Sequence, residues 1–360
     1  MSILKNFIER EDADYILDVI GENLLKLSGS TFLITGAAGF LGFNFLNCLV
    51  RWNEISVGSK VKIIACDNFF RGRPIWITRL EADGAIEVLE HDITKELPAN
   101  LRCIDFIIHA ASVASPIYYR EFPIETMDAN VIGLRRVLDY SVSSSLKGLL
   151  YFSTSEIYGD PPTDKIPTTE EYRGYVSCTG PRACYDESKR FGETLCVAFN
   201  KVHSVPVSVA RPFNNYGPGL KLSDGRVIPD FCRDMLQGKD LVLLSDGSPT
   251  RTFCYVSDAI IGYMLILFKG RRGEAYNIGT ETPELSMLAL AQTISTQGKL
   301  LLGYKGSVKF GESRDISYLT DNPKRRCPDI GKAKRDLGYS PRMGLTEGIS
   351  RSIKWYSENQ

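Results

Sequence analysis

Tyr185 and Lys189 stand four residues apart in the stretch Gly180-Pro-Arg-Ala-Cys-Tyr-Asp-Glu-Ser-Lys189, which turns helical over Ala183 to Asn200. On a helix, residues i and i+4 share a face. A cation beside a phenol favours the phenolate and lowers its pKa from the reference of about 10. The expectation is a tyrosine that takes a proton from an alcohol near neutral pH. By itself the pair also describes many solvated helix faces. Its weight comes from two stretches upstream, a Ser153-Thr154-Ser155-Glu156 run and a glycine-rich loop.

The loop reads Thr31-Phe-Leu-Ile-Thr-Gly36-Ala-Ala-Gly39-Phe40-Leu41-Gly42. Phe32 to Ile34 is expected as a buried strand and Phe40 to Val50 as the helix after it. Gly36 suits the tight turn and Gly39 a close approach of backbone to a pyrophosphate. Gly42 suits close packing of helix on sheet, with the helix N-terminus facing the anion. A lone glycine pattern also fits an ordinary strand-to-helix turn. Here a second strand follows, Val61-Lys-Ile-Ile-Ala-Cys-Asp67, and Asp67 falls where a carboxylate would bind ribose hydroxyls. Such an acid selects NAD over NADP, whose extra phosphate it repels. Arg71 and Arg73 nearby pull the other way. NAD is the expected cofactor.

The elements that must hold these groups alternate. Ile86 to Leu89, Phe106 to His109, Leu149 to Ser153 and Val207 to Arg211 read as strands, and about Glu125 to Ser143 as a further helix. This predicts an α/β chain: a Rossmann, doubly wound parallel sheet with helices on both faces and ligands beyond the carboxyl ends of the strands. Gly36, Asp67, Asp92, Ala110, Ser153 and Arg211 lie at or just after such ends. After Arg211, glycines and prolines punctuate shorter segments, and Arg226, Arg251, Arg325 and Arg326 appear. A smaller C-terminal substrate-binding lobe is expected there. The expected division is an N-terminal helical extension over 1–29, an NAD-binding domain over 30–212 that 253–268 rejoins, and the lobe over 213–360. In residues 1–28, Phe7, Ile8, Tyr15, Ile16, Ile20, Leu24 and Leu27 recur at helical spacing. They are expected as one or two helices on the outside of the core domain, with a partner-docking arm as the other reading.

Composition excludes several classes. Lys plus Arg equals Asp plus Glu, 43 each, so no basic field invites nucleic acid. No apolar run reaches membrane-spanning length. Glu9, Glu11, Asp12 and Asp14 interrupt any secretory signal pattern. Nine scattered cysteines and three histidines show no metal-ligand spacing, so no metal is expected; the cysteines read as small buried residues or free thiols of a reducing cytoplasm.

With these residues in hand, the chain resembles the extended short-chain dehydrogenases/reductases (the NAD-dependent epimerase/dehydratase family). Within them it is similar to the UDP-glucuronic acid decarboxylase, or UDP-xylose synthase, branch over roughly residues 30 to 355. The matching segments include Asp67-Asn-Phe-Phe-Arg-Gly-Arg73, Ser153-Thr-Ser-Glu-Ile-Tyr-Gly-Asp-Pro161 and Gly180 to Arg190. Further matches are Arg211-Pro-Phe-Asn-Asn-Tyr-Gly-Pro218, Asp224-Gly-Arg-Val227, Asp246-Gly-Ser-Pro-Thr-Arg-Thr-Phe253 and Pro323-Lys-Arg-Arg-Cys-Pro-Asp-Ile330. The chain departs at Ala111-Ser-Val-Ala-Ser-Pro116, where the branch usually has proline in place of Val113.

The resemblance implies cofactor contacts from Gly36, Gly39, Phe40, Leu41, Gly42, Asp67, Asn68, Asp92, Ile93, Ala110, Tyr185, Lys189 and Pro212. It implies a UDP-sugar substrate gripped by Asn214, Arg226, Arg251 and Arg326, and a catalytic set of Tyr185, Lys189, Thr154, Ser155, Glu156 and Arg326. A uronic acid loses CO2 slowly because the carbanion at C5 has no stabiliser. Oxidising C4 makes the carboxylate a β-keto acid, and its electrons then flow into an enolate. Tyr185 is the expected base for the C4 hydroxyl. Lys189 is expected to hold Tyr185 and the nicotinamide ribose, and Thr154 to hydrogen-bond the C4 oxygen. Glu156 is expected to orient the ring and manage the proton near C5, and Arg326 to hold the carboxylate. The plainer readings are a turn cap for Glu156 and a surface charge for Arg326. Such relatives commonly dimerise through two helices per subunit, which makes a homodimer through Glu125–Ser143 and Ala183–Asn200 the expectation.

Rival readings differ at single positions. A nucleotide-sugar 4,6-dehydratase needs an acid before the glutamate, where this chain has Ser155, and an apiose-forming relative would have cysteine there. A 4-epimerase usually lacks the glutamate. A non-catalytic NAD-binding sensor would lack the Tyr-Lys pair.

Overall fold

Apolar β-branched and aromatic runs bounded by turns build the centre of the molecule. The computed structural model describes residues 2–312 and 323–359. Its main sheet holds β1 (Thr31–Thr35), β2 (Lys62–Asp67), β3 (Glu87–Glu90), β4 (Phe106–His109), β5 (Gly148–Phe152), β6 (Val207–Pro212) and the edge strand Ala275–Ile278. The order across the sheet is Ala275–Ile278, β6, β5, β4, β1, β2, β3, and every pairing is parallel. The direction of winding reverses between β1 and β4, which leaves a crevice at their carboxyl ends.

Both faces of the sheet are covered, as the two-sided apolar character of its strands requires. Successive side chains alternate: Phe32 and Ile34 enter one core with Phe45, Ile108, Leu150 and Met264, while Leu33 enters the other with Ile107, Leu134, Cys196 and Phe199. Truncating Phe32 to alanine would cost about 3–5 kcal/mol. Helix Val256–Lys269 is buried from Val256 to Phe268 because it lies under the sheet and is itself covered by helix Phe7–Ile20. That N-terminal helix is capped by Asn6, whose Oδ1 accepts the N–H groups of Ile8 and Glu9. It packs on helices Phe40–Ile55 and Val256–Lys269, and Asp12 ties it to Arg351 near the C-terminus.

Between Pro123 and Val142 the expected single helix carries a π-helical turn at Ala129–Gly133. There Asn130 donates to Ser188, and a Cβ on Gly133 would press to 2.7 Å from Ile93. The missing side chain at Gly133 permits that close approach, and π turns are frequent beside functional sites.

The C-terminal residues form smaller sheets around a third core of Ile228, Phe231, Leu241, Leu290, Ile294, Ile349 and Tyr356. One of these sheets sets Thr250–Arg251 between Leu285–Ser286 and Arg325–Arg326. It brings Arg251 and Arg326 side by side over the ends of the central strands. No helix among the described residues is long and apolar enough to cross a membrane.

Candidate active site

A cleft of about 1150 Å³ opens at the carboxyl ends of the strands. Apart from the strand-end Arg211, every residue expected from the sequence to serve catalysis, cofactor or substrate lines it.

The glycine loop begins one residue beyond β1. Gly36 has φ +71°, and a Cβ there would meet the Ala110 carbonyl carbon at 2.6 Å. A Cβ on Gly42 would stand 2.4 Å from the Ala37 carbonyl oxygen. Gly39 precedes helix Phe40–Ile55 with no side-chain cap, so its first-turn N–H groups are left for an anion. Asp67 closes this corner: it accepts the Ala38 N–H at 2.9 Å and the Phe69 N–H at 2.8 Å. Arg71 and Arg73, the cations that follow Asp67 in sequence, are engaged by Asp224 and Glu81. The cradle thus has the shape and donor set for a dinucleotide with an unphosphorylated ribose.

Arg211 is the one strand-end residue that departs from expectation. It turns away from the cleft into a two-pronged pair with Glu193, its Nη1 also donating to Tyr158. Strand alternation sends Arg211 to one side and its neighbour Pro212 into the cleft. Tyr151 and Tyr158 are core residues.

Tyr185 and Lys189 lie on one face of helix Ala183–His203, both buried. Tyr119 stacks on the Tyr185 ring, with centroids 5.1 Å apart. Lys189 Nζ donates to the Phe152 carbonyl at 2.8 Å and sits 5.8 Å from the centroid of the Tyr185 ring. The expected lowering of the tyrosine pKa is not what this arrangement produces. Burial pushes the Tyr185 phenol up to about 12, with Arg226 and a Thr154 hydrogen bond pulling weakly the other way. Burial also brings Lys189 down to about 7. Desolvation dominates both groups, and the hydrogen bond that Lys189 Nζ makes goes to the Phe152 carbonyl.

Glu156 follows β5 on a short 3-10 turn that Thr154 caps by accepting the Glu156 N–H. Its carboxylate faces two arginines. Arg326 Nη1 donates to Oε1 at 2.6 Å and Arg326 Nη2 to Oε2, while Arg182 Nη2 also reaches Oε2. Burial raises the pKa of this carboxyl, but the charges of Arg182 and Arg326 outweigh it and hold Glu156 far below the usual range. Asp186 stands 3.7 Å from Arg182 and moves the opposite way, to about 7, through burial and the nearby charge of Glu156. Glu156 is therefore more than a turn cap, and Arg326 is not a surface charge.

The remaining substrate candidates are held by the protein itself. Arg226 donates to the Ala114 carbonyl at 3.1 Å and pairs with Asp224. Arg251 donates to the main-chain carbonyls of Thr250, Lys324 and Pro323. Asn214, with φ +43°, donates to the Thr252 carbonyl at 2.9 Å. Ser155 is buried beside Glu156.

Arg182 and Asp186 were not singled out from the sequence. Their signal was the i, i+4 spacing of opposite charges at the start of the Tyr185 helix. That spacing is common on exposed helices, and only the fold turns it inward.

Residues 32–279 match the NAD dependent epimerase/dehydratase family. The chain is 37% identical over 322 residues to UDP-glucuronic acid decarboxylase 6 of Arabidopsis thaliana, covering 89% of this chain and 87% of that protein. It is 39% identical over 324 residues to UDP-glucuronic acid decarboxylase 1 of Xenopus tropicalis, covering 90% and 71%. Among solved structures it is similar to the dTDP-glucose 4,6-dehydratase DesIV of Streptomyces venezuelae, solved with NAD bound. There the TM-score is 0.79 at 28% identity, covering 91% of this chain and 97% of that one.

Proposed function

The chain belongs to the NAD dependent epimerase/dehydratase family, and from that premise we propose that it decarboxylates UDP-glucuronate by way of a 4-keto intermediate, giving UDP-xylose or UDP-4-keto-pentose. The observation that carries this reading is the pairing of Arg326 and Arg182 around Glu156 at the mouth of β5, a few residues from the buried Tyr185. A neutral sugar substituent has no use for buried guanidiniums. A uronate carboxylate does, since an unpaired buried charge is costly.

When bound, NAD would supply the hydride acceptor for C4. Its place is the cradle of Gly36, Gly39, Gly42 and Asp67, with Asn68, Asp92 and Ile93 further along the cleft. Tyr185, which burial keeps protonated in the unliganded protein, would take the proton of the C4 hydroxyl only as the phenolate, and Thr154, hydrogen-bonded to Tyr185, positions that oxygen. Lys189 fixes the inner wall through Phe152. Glu156 orients the ring and handles the proton at C5, and Arg326 takes the carboxylate. Asn214, Arg226 and Arg251 grip the diphosphate, a task suited to the planar guanidinium fork. A dehydratase would need a carboxylic acid where the hydroxyl of Ser155 is buried.

The apolar side chains Ile124, Ile132, Phe191 and Val202 are exposed on helices of the segments 123–142 and 183–203. This supports a homodimer built on those two helices. The nine cysteines are free thiols, which fits a reducing cytoplasm.

The test is direct. Incubation with NAD and UDP-glucuronate should release CO2 and yield a pentose nucleotide by mass, with no turnover of UDP-glucose. Dehydration of a nucleotide hexose without CO2 from the uronate would overturn the reading.

A further inference from the structure

Two guanidiniums meet at one carboxylate in the cleft, and they come from different parts of the fold. Arg182 lies at the N-terminal end of the helix that carries Tyr185, 6.0 Å from the centroid of the Tyr119 ring. Tyr119 in turn stacks on Tyr185. Arg326 belongs to a two-residue strand in the sheet beside Thr250–Arg251. Both guanidiniums keep a buried Nε without a hydrogen-bond partner, and Asp186 keeps a buried, unpartnered Oδ1. The cluster therefore leaves two guanidinium donors and one carboxylate acceptor unsatisfied. A second carboxylate brought into the cleft would meet those donors, and Arg326 is the guanidinium not fixed to the helix of the reacting tyrosine.

We propose that Arg182 is a positioning residue of the decarboxylation: it holds Glu156 in place as an anion while Arg326 leaves Glu156 for the carboxylate of the substrate. The exchange is one of ion pairs, with no bond made or broken. It explains why one glutamate is gripped twice. With Arg326 as its only partner, Glu156 would stand buried and uncompensated once the substrate took that arginine, and it would pick up a proton. With Arg182 in place it remains charged and aimed. The groups facing Glu156 are Arg182 and Asp186 from the helix, Arg326 and Arg251 from the small sheet, and Tyr119 and Tyr185 from the cleft wall. Among these, Asp186 competes with Glu156 for Arg182, and burial and the charge of Glu156 weaken its claim by raising its pKa.

The inference rests on the decarboxylase reading, and wild-type CO2 release from UDP-glucuronate tests that reading separately. For the inference, NAD-loaded wild type, Arg182→Gln and Arg182→Lys are compared in turnover of UDP-glucuronate from pH 4 to 9 and in binding of UDP-xylose, which has no carboxylate. Arg182→Gln should lower kcat by about 10²-fold. Its acid limb should move up to at least the ordinary glutamate value of 4.5, while UDP-xylose binds as in wild type. Arg182→Lys, which keeps the cation, should return the acid limb toward wild type. Equal losses for both nucleotides, or an acid limb that stays put in Arg182→Gln, would overturn the proposal. If the glutamine variant does not fold, the lysine variant decides: an acid limb and kcat near wild type support the inference, and an acid limb that moves up although the cation is retained overturns it.

Discussion

Glu156 and Arg326 lie 170 residues apart and meet in a two-pronged ion pair, Arg326 Nη1 donating to Glu156 Oε1 at 2.6 Å. One comes from the end of a central strand and the other from the small sheet that covers it, so the pair joins the cofactor side of the cleft to the substrate side. Arg326→Ala should therefore leave NAD binding intact. It should cut turnover of UDP-glucuronate by about 10²-fold or more, since losing one partner of a desolvated charge pair typically costs about 2–5 kcal/mol. Steady-state kinetics beside NAD fluorescence titration checks this, and an alanine variant with near wild-type turnover would remove Arg326 from the site.

Tyr185 stays protonated in the unliganded protein well above neutral pH, because burial raises it to about 12. An ultraviolet difference titration of wild type against Tyr185→Phe should show no tyrosinate below about pH 10. A transition near neutrality would mean that Lys189 tunes the phenol after all. In the presence of substrate, Tyr185→Phe should slow CO2 release by about 10²–10⁴-fold, the usual worth of a positioned base.

The central sheet was legible because its strands are short apolar runs separated by glycine loops and amphipathic helices, and each pattern has one structural solution at that length. The cofactor corner was legible for the same reason: Gly36, Gly42 and Asp67 answer to backbone geometry, which spacing encodes. Charges were harder to read. Arg211 looked like a strand-end ligand and is a core ion pair, since its partner Glu193 lies on a helix whose facing only the packing decides. Arg182 sat inside the most informative stretch and was passed over, because its partner Glu156 is distant in sequence. The ionisation of Tyr185 and Lys189 was misjudged because i, i+4 spacing gives proximity but not burial, and burial sets the larger effect on both.

Assembly is testable at one residue. Phe191 is 48% exposed on the Tyr185 helix, and Val202 lies on the same helix at 69%. In a dimer built on this face, Phe191→Arg would bury an unpaired cation at the interface. Light scattering should find the wild type at twice the chain mass at micromolar concentration and the variant as a monomer. A wild type that remains monomeric would remove this interface.

Glu156 should also make stability depend on pH, with a sign that distinguishes it from an ordinary surface acid. Its folded pKa is depressed, chiefly because the charges of Arg182 and Arg326 outweigh burial, from an ordinary value of 4.5 to about 2. A carboxylate depressed on folding contributes stability that is fully present above its unfolded pKa and fades as pH falls through its folded pKa. Replacing it by glutamine removes that contribution and leaves Arg182 and Arg326 facing each other. At pH 7 the loss should approach the roughly 3–5 kcal/mol typical of a broken buried pair. It should fall short of that figure because Asp186, freed from the repulsion of Glu156, ionises and takes over Arg182. Below the ordinary value of 4.5 the gap between wild type and Glu156→Gln should narrow steadily, as the wild type itself loses the charge. Urea melts of both proteins at pH 7 and near pH 3 measure the two gaps. Equal gaps would mean that Glu156 is stabilised by packing alone and that its two arginines do not set its charge.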